Sequence, residues 1–207
     1  SRSSQVDNNV QDAALQALPI IPVHTVDGIG WGGPVGGMND RQNPVRLLED
    51  NKQNNGINLR IFGNFYADLQ LIKNLHLRSN LGIDYIATNS RNMQLSYVSG
   101  YLNNPINKVT NYNGSSSNWV WSNTLSYQLN KGKHALDALV GTEMYQHQDE
   151  SFWASRQSLE LEDPNYMYLD AGTGLKDNGG LASSYSLLSY FGKVNYSYAD
   201  KYLASVT

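Results

Sequence analysis

Cysteine is absent from this chain of 207 residues, and charged side chains are scarce at 16% of the residues. The absence of cysteine excludes a small secreted domain held together by disulfides, a zinc site with thiolate ligands and a cysteine nucleophile. A soluble domain usually carries about 25% charged residues. Charge therefore does not provide ordinary solubility for this sequence.

Long apolar runs are also missing. The longest runs, such as Leu18 to Val23, are short and interrupted by proline, whereas a membrane-spanning helix needs about 20 apolar residues. If the chain lies in a membrane, it must cross as strands. Tyrosine is the abundant aromatic residue, and helical leucine periodicity is hard to find, so the composition favours an all-β class.

Both ends of the sequence lack the usual terminal signals. The chain opens on the polar residues Ser1 to Ser4, without an initiator methionine or a signal segment. It closes on Tyr202 to Thr207, an alternating run that stops without a turn signal. We expect both ends to be cuts in a longer polypeptide.

The first 51 residues predict a loop region with one short helix. The helix candidate is Val10 to Leu18, which Asn8 or Asn9 would cap and Pro19 would end. The glycine- and proline-rich stretch Asp27 to Gly37 follows, and it permits neither a continuous helix nor a continuous strand.

Strict alternation of apolar and polar residues begins after this region. It predicts three hairpins, because a period of two is that of a strand. Their turns are short, as expected for adjacent antiparallel strands. The strand pairs are Gly56–Leu71 with Leu75–Tyr85, Trp119–Leu129 with Ala135–Gln146, and Tyr185–Tyr198 with the run that ends the chain.

The connections between hairpins are predicted to be long. Asn89 to about Asn118 and His147 to about Ser184 are each roughly 30 or more polar residues, against the usual 4 to 6. Short turns on one edge and long loops on the other are typical of an outer-membrane β-barrel.

Residue chemistry on the strands agrees with a barrel in lipid. One face is apolar, and the other carries charged and amide side chains such as Arg60, Asn64 and Asp84, which suit a water-filled or plugged lumen. Aromatic residues are expected near strand ends, where they would form an interfacial girdle: Phe65, Tyr66, Tyr85, Trp119, Trp121, Tyr127, Tyr196, Tyr198 and Tyr202. The alternative is a soluble antiparallel β-sandwich that recognises glycans or serves adhesion, which would show the same alternation.

Four stretches resemble the SusC/RagA family of TonB-dependent importers. The most specific is Ser189 to Tyr198 with Asp200 to Leu203, which is similar to a hairpin of that family. The others are Gly36 to Val45 followed by Leu47 to Glu49, Asn74 to Tyr85, and Gly141 to Glu143. The resemblance extends from about Asp12 to the end of the chain.

The resemblance implies a transmembrane antiparallel barrel of about 22 strands in the outer membrane of a Gram-negative, Bacteroidota-like bacterium. It also implies import of oligosaccharides or peptides, driven by TonB through a plug domain, beneath a SusD-like surface lipoprotein. Neither plug nor TonB box is visible in this sequence. We therefore expect residues 1–51 to be an extracellular loop region and 52–207 to be strands and loops of one barrel in contact with outer-membrane lipid.

Patterns for other chemistry are weak. Gly28, Gly30 and Gly33 match G-x-G-x-x-G, but Pro34 and the glycines after it forbid the helix that a dinucleotide site requires. The histidines show no metal-ligand spacing. His147 with Asp149 and Glu150 could hold a cation or form a solvated cluster of loop charges. A second group offers oxygen ligands for calcium without a regular ligand pattern: Glu160, Glu162, Asp163 and Asp170. We expect no catalytic residues, no cofactor and no nucleic-acid partner.

Loop aromatic residues are the candidate substrate contacts. Flat rings stack on sugar faces and hydrogen-bond to peptides, and long barrel loops carry function. Each ring could instead pack its own loop or meet the lid protein. The candidates are Trp31, Tyr97, Tyr101, Tyr112, Trp153, Tyr166 and Tyr168.

Overall fold

The fold is dominated by long strands. The computed structural model describes residues 2–4 and 9–207. Within these residues lie two α-helices, α1 (Asn9–Gln16) and α2 (Pro44–Asn51), and a 3-10 turn at Leu169–Ala171. The strands are β1 (Arg2–Ser4), β2 (Asn55–Ile72), β3 (Leu75–Gln94), β4 (Tyr97–Ser99), β5 (Leu102–Asn104), β6 (Lys108–Lys131), β7 (His134–Gln157), β8 (Lys176–Tyr198) and β9 (Tyr202–Val206).

Seven of these strands form one sheet in the order β1-β2-β3-β6-β7-β8-β9, and β4 pairs with β5 separately. The β1–β2 and β8–β9 pairs are antiparallel, with Ser3 opposite Gly56 and Tyr198 opposite Tyr202. Long neighbouring strands joined by two-residue turns must also be antiparallel. The described strands therefore form an open antiparallel segment, as the predicted fold class requires, and this single large sheet gives no support to the sandwich alternative.

The three predicted short turns are confirmed. β2 and β3 are separated by Lys73 and Asn74, β6 and β7 by Gly132 and Lys133, and β8 and β9 by residues 199–201. Tight hairpins need positive φ angles. They are found at Asn74 (69°), Gly132 (62°) and Asp200 (55°).

The bounds predicted for the long loops were wrong, because the strands continue into them. β3 extends to Gln94 and β6 already begins at Lys108; β7 extends to Gln157 and β8 begins at Lys176. The connection between β7 and β8 is thus residues 158–175. At about 3.4 Å per residue, the 24 residues of β6 span roughly 80 Å, whereas about 9 to 11 residues cross a bilayer.

The predicted aromatic girdle needs a related correction. Tyr127, Tyr196, Tyr198 and Tyr202 lie near the short turns, as expected, but Trp119 and Trp121 lie in the middle of β6. Phe65, Tyr66 and Tyr85 are likewise mid-strand. The reason is strand length, because a strand that continues far beyond a bilayer meets both interfaces well inside its own ends.

The helical prediction was half right. α1 is displaced slightly from the predicted Val10 to Leu18, and the proposed cap Asn8 lies outside the described residues. α2 was not predicted at all. No helix among residues 9–207 is long and apolar enough to cross a membrane.

The chain divides into two compact units. The loop unit comprises Ser1–Leu59, Thr88–Gly114 and Ser151–Leu181, and the strand unit comprises Arg60–Ala87, Ser115–Glu150 and Ala182–Thr207. Every buried residue of the described chain belongs to the loop unit. Its core is Met93, Val109, Leu159 and Met167, and a second small cluster joins α1 to α2 through Val10, Ala13 and Leu47.

Candidate functional site

All seven candidate aromatic residues belong to the loop unit. No local pattern groups them in the sequence, because they are spread from residue 31 to residue 168. Inside the unit, a network of buried polar side chains fixes the backbone that carries them.

Asn43 anchors the N-terminus of α2 and is 7% exposed. Its side-chain oxygen accepts hydrogen bonds from the amides of Val45 (3.0 Å) and Arg46 (3.3 Å), which is the role of an N-cap. Its amide nitrogen donates to the carbonyls of Val23 (2.8 Å) and Gly32 (3.0 Å). One asparagine thus joins the helix to the glycine-rich loop before it.

Arg46 is the most buried charged side chain of the loop unit, at 2% exposure. Its guanidinium pairs with Asp50 and donates to Gln42, and its central carbon lies 3.7 Å from the ring centroid of Tyr97. Burial raises the pKa of the Asp50 carboxyl above its ordinary value, despite the opposing charge of Arg46. Tyr97 therefore covers a buried ion pair with its ring.

The glycine-rich loop packs directly on β4 through its backbone. A Cβ at Gly33 would lie 2.1 Å from the carbonyl carbon and oxygen of Ser99. The amide of Tyr101 donates to the carbonyl of Pro34 at 3.0 Å. Within the G-x-G-x-x-G match, backbone packing thus requires Gly33, whereas Gly28 has a positive φ of 73° and open space around it.

Asn107 holds the connection between β7 and β8. Its side chain donates to the Leu159 carbonyl (2.9 Å) and accepts from the Leu159 amide (2.7 Å), and it also donates to Glu162 (2.8 Å). Glu162 accepts a further hydrogen bond from the Ser96 amide at 2.9 Å. A carboxylate predicted as a possible calcium ligand is instead engaged with protein donors.

Arg91 supports the same connection from β3. Its guanidinium donates to the carbonyls of Pro164 (2.9 Å) and Met167, and it lies 4.6 Å from the ring centroid of Tyr168. Met167 itself is fully buried. The neighbouring Tyr166 and Tyr168 are therefore presented outward by a fixed backbone.

The seven candidate rings fall into two groups by environment. Trp31 stacks on His24 with 4.8 Å between ring centroids, Tyr97 covers Arg46, and Trp153 covers the backbone of Gly179. The other four are exposed by 38 to 59%: Tyr101, Tyr112, Tyr166 and Tyr168. The exposed group has ring surface available to a ligand.

Sequence reasoning missed Arg46, Arg91 and Asn107. The only local signal was the Asn43-Pro44 pair, which is typical of a helix start with proline in the first turn. The partners of Arg91 and Asn107 are 52 to 76 residues away, so no local pattern marks them.

The strand unit carries polar pairs on one face of its strands. Arg60 donates through two nitrogens to both oxygens of Asp84, each at 2.8 Å. The ring of His147 lies between Asn118 (2.6 Å) and Asp149 (2.5 Å). Within the described residues, no three histidine or acidic side chains come together to hold a metal ion.

Comparison with known proteins adds a family context. No protein-family model matches the chain. Two curated relatives come from Formosa agariphila: "TonB-dependent receptor P3", 24% identical over 96% of the chain, and "TonB-dependent receptor P26", 26% identical over 93%. The chain spans 20% of the length of each.

Solved structures of the RagAB peptide transporter share the fold. One RagAB structure aligns with 80% of this chain and 18% of its own chain, with a TM-score of 0.69 and 21% sequence identity. The RagAB importer in the "open-open" state aligns with 78% of this chain and 18% of its own chain, with a TM-score of 0.65 and 23% sequence identity. The fold is thus that of a segment of a TonB-dependent β-barrel. The resemblance to SusC/RagA-type TonB-dependent transporters that the motifs predict is confirmed.

Proposed function

We propose that the chain forms part of the wall and external loops of a TonB-dependent importer in the outer membrane of a Bacteroidota-like bacterium, which takes up oligosaccharides or peptides. Residues 1–51 would be an extracellular loop region, and 52–207 would be strands and loops of one barrel domain. The named relatives are receptors and a transporter, which supports a transport role over an enzymatic one.

The observation that carries the proposal is the surface of the strand unit. In β2, Ile61, Phe65 and Leu69 lie on one face of the strand and are 55 to 70% exposed, while Arg60 and its partner Asp84 lie on the other. No side chain of the strand unit is buried. Apolar strand surface of this extent is unfavourable in water and is what a lipid-facing barrel wall needs.

The loop unit supplies the proposed binding surface. Four rings are exposed on a backbone that buried polar side chains hold in place: Tyr101, Tyr112, Tyr166 and Tyr168. Because this backbone is already ordered, binding of a substrate to the rings would cost little conformational entropy. Trp31, Tyr97 and Trp153 remain candidates on their exposed edges. A SusD-like lipoprotein would cover these loops, and TonB would act through a plug domain.

Substrate uptake tests the proposal. The double variant Tyr166→Ala with Tyr168→Ala, in the protein as cells make it, is expected to raise the substrate concentration for half-maximal uptake about tenfold, since a lost aromatic contact costs about 1 kcal/mol or more. The matched control is Tyr190→Ala on β8, which removes an exposed ring outside the loop unit. Equal uptake by the double variant and the control would contradict the binding role of the loops.

A further inference from the structure

The three short turns of the strand unit lie side by side along one edge of the sheet. The amide of Ala199, in the last turn, donates to the carbonyl of Lys133 at 2.6 Å. The amide of Gln128, near the end of β6, donates to the carbonyl of Asn74 at 3.0 Å. These backbone contacts bring the turns of all three hairpins together at one edge.

This edge is basic. Lys73, Lys131, Lys133 and Lys201 lie in or beside the turns, and all four side chains are exposed. None of them forms an ion pair with any residue that the structure describes. Asp200 is the one acidic residue within these turns. Four lysines against one aspartate give the edge a net charge of about three positive units. We call the four lysines the turn lysines.

A cluster of rings adjoins the turn lysines along the chain, since His134 follows Lys133 and Tyr202 follows Lys201. His134 Nδ1 and the Tyr196 hydroxyl are 2.6 Å apart. The His134 ring lies 5.0 Å from that of Tyr198, which in turn stacks 6.5 Å from Tyr202. These four residues form the ring cluster.

The ring cluster stands at the end of the apolar face. By alternation along β7, His134 shares its face with Leu136 and Val140, and along β8 the tyrosines share theirs with Val194. The order from mid-strand to turn is therefore aliphatic, aromatic with a polar tip, and cationic. That order matches the hydrocarbon, interface and headgroup layers of a bilayer.

We propose that the turn lysines and the ring cluster form a binding edge for anionic glycerophospholipids. The ammonium groups pair with the headgroup phosphates, while the rings lie at the level of the ester groups. The proposal rests on the proposed function, because it requires the apolar face to be in lipid. It adds the chemical class of lipid that borders the short turns.

The arrangement favours a lipid over a free anion. The lysines are distributed along an edge and do not converge on one pocket, whereas a free phosphate site needs donors that point at a single position. A row of headgroups presents phosphates at intervals along such an edge. Each lysine near an anionic membrane surface adds about fivefold to affinity at ordinary salt.

The test uses the protein isolated from membranes as the whole polypeptide that carries this chain. Native mass spectrometry measures bound dioleoylphosphatidylglycerol and, separately, dioleoylphosphatidylcholine. The variant combines Lys131→Gln, Lys133→Gln and Lys201→Gln. The control removes the same charge from the loop unit with Lys52→Gln, Lys108→Gln and Lys176→Gln. We expect phosphatidylglycerol binding to weaken about 100-fold in the variant and to stay unchanged in the control.

Three outcomes would overturn the proposal. If the unmodified protein bound phosphatidylglycerol and phosphatidylcholine equally well, the edge would have no preference for anionic lipid, although the barrel could still lie in a membrane. Equal weakening by the control would attribute the effect to net charge. Displacement of phosphatidylglycerol by millimolar inorganic phosphate would identify a free-anion site. If the protein is stable in buffer without detergent and binds neither lipid, the proposed membrane function fails as well.

Discussion

The loop unit and the strand unit are held together in opposite ways. The loop unit buries Met93, Val109, Leu159 and Met167 and fixes its backbone with buried asparagine and arginine side chains. The strand unit buries nothing and depends on backbone pairing between long strands. A region with its own core can keep its shape in water, whereas bare two-faced strands need lipid on one side.

The largest predicted effect comes from placing a charge on the apolar face of β2. Ile61→Arg should destabilise the folded protein in lipid vesicles by about 2–4 kcal/mol, because a lipid-facing arginine must leave water. Phe62→Arg, one residue away on the polar face, is the control and should cost far less. Urea unfolding in vesicles measures both. Similar losses for the two variants would remove the distinction between the faces.

Next in size is a methyl group at Gly33. Gly33→Ala should destabilise the loop unit by about 3 kcal/mol, at the upper end for overpacking, because the new Cβ would meet the Ser99 backbone at 2.1 Å. Gly36→Ala is matched to it, since nothing lies within 4 Å of a Cβ there. Hydrogen exchange of β4 and β5 reports the effect. Slow exchange in the Gly33 variant would show that the loop does not pack as described.

Removal of the Asn107 side chain should have a somewhat smaller effect. Asn107→Ala leaves the buried amide and carbonyl of Leu159 without partners, at a cost of about 1–3 kcal/mol. Exchange of amides in residues 158–175 should accelerate about 10- to 100-fold, while β2 stays protected. Asn103→Ala, at an exposed position of β5, should change nothing, and an equal acceleration there would contradict a specific role for Asn107.

The smallest effect concerns the pH dependence that Asp50 gives the loop unit. Since burial raises its pKa above the ordinary 3.8, the folded state holds the proton more tightly than the unfolded state. Stability should therefore fall as pH rises from about 3.8 through the raised value and level off above it. Asp50→Asn should flatten this slope in thermal unfolding, whereas Asp12→Asn, an exposed change on α1, should not. An unchanged slope would contradict the assignment.

The hairpins were predictable because their faces differ in chemistry. β2 alternates apolar and polar residues from Ile57 to Leu71, so both the strand and its turn follow from the sequence. The continuation of β3 to Gln94 and the start of β6 at Lys108 were not predictable, because residues 88–94 and 108–118 are polar on both faces apart from Met93, Val109 and Tyr112. A period of two is visible only where the two faces meet different solvents.

The candidate rings could be named from composition but not ranked. Tyr97 and Tyr168 look alike in the sequence, yet one covers the buried Arg46 and the other is 56% exposed. Both rings lie over an arginine that is distant in the sequence, Arg46 for Tyr97 and Arg91 for Tyr168, and the two differ in how much of the ring stays exposed. Such long-range contacts leave no local pattern.

The absence of cysteine from the sequence allows the two faces of β2 to be probed directly. Single cysteines placed in turn at residues 57–71 of β2, in protein reconstituted into vesicles, are reacted with a charged, water-soluble thiol reagent. A strand with one face in lipid should be labelled with a period of two, with the positions of Asn58, Arg60 and Phe62 reactive and those of Leu59 and Ile61 protected. Equal labelling at adjacent positions would contradict a strand with one face in lipid and the other in water.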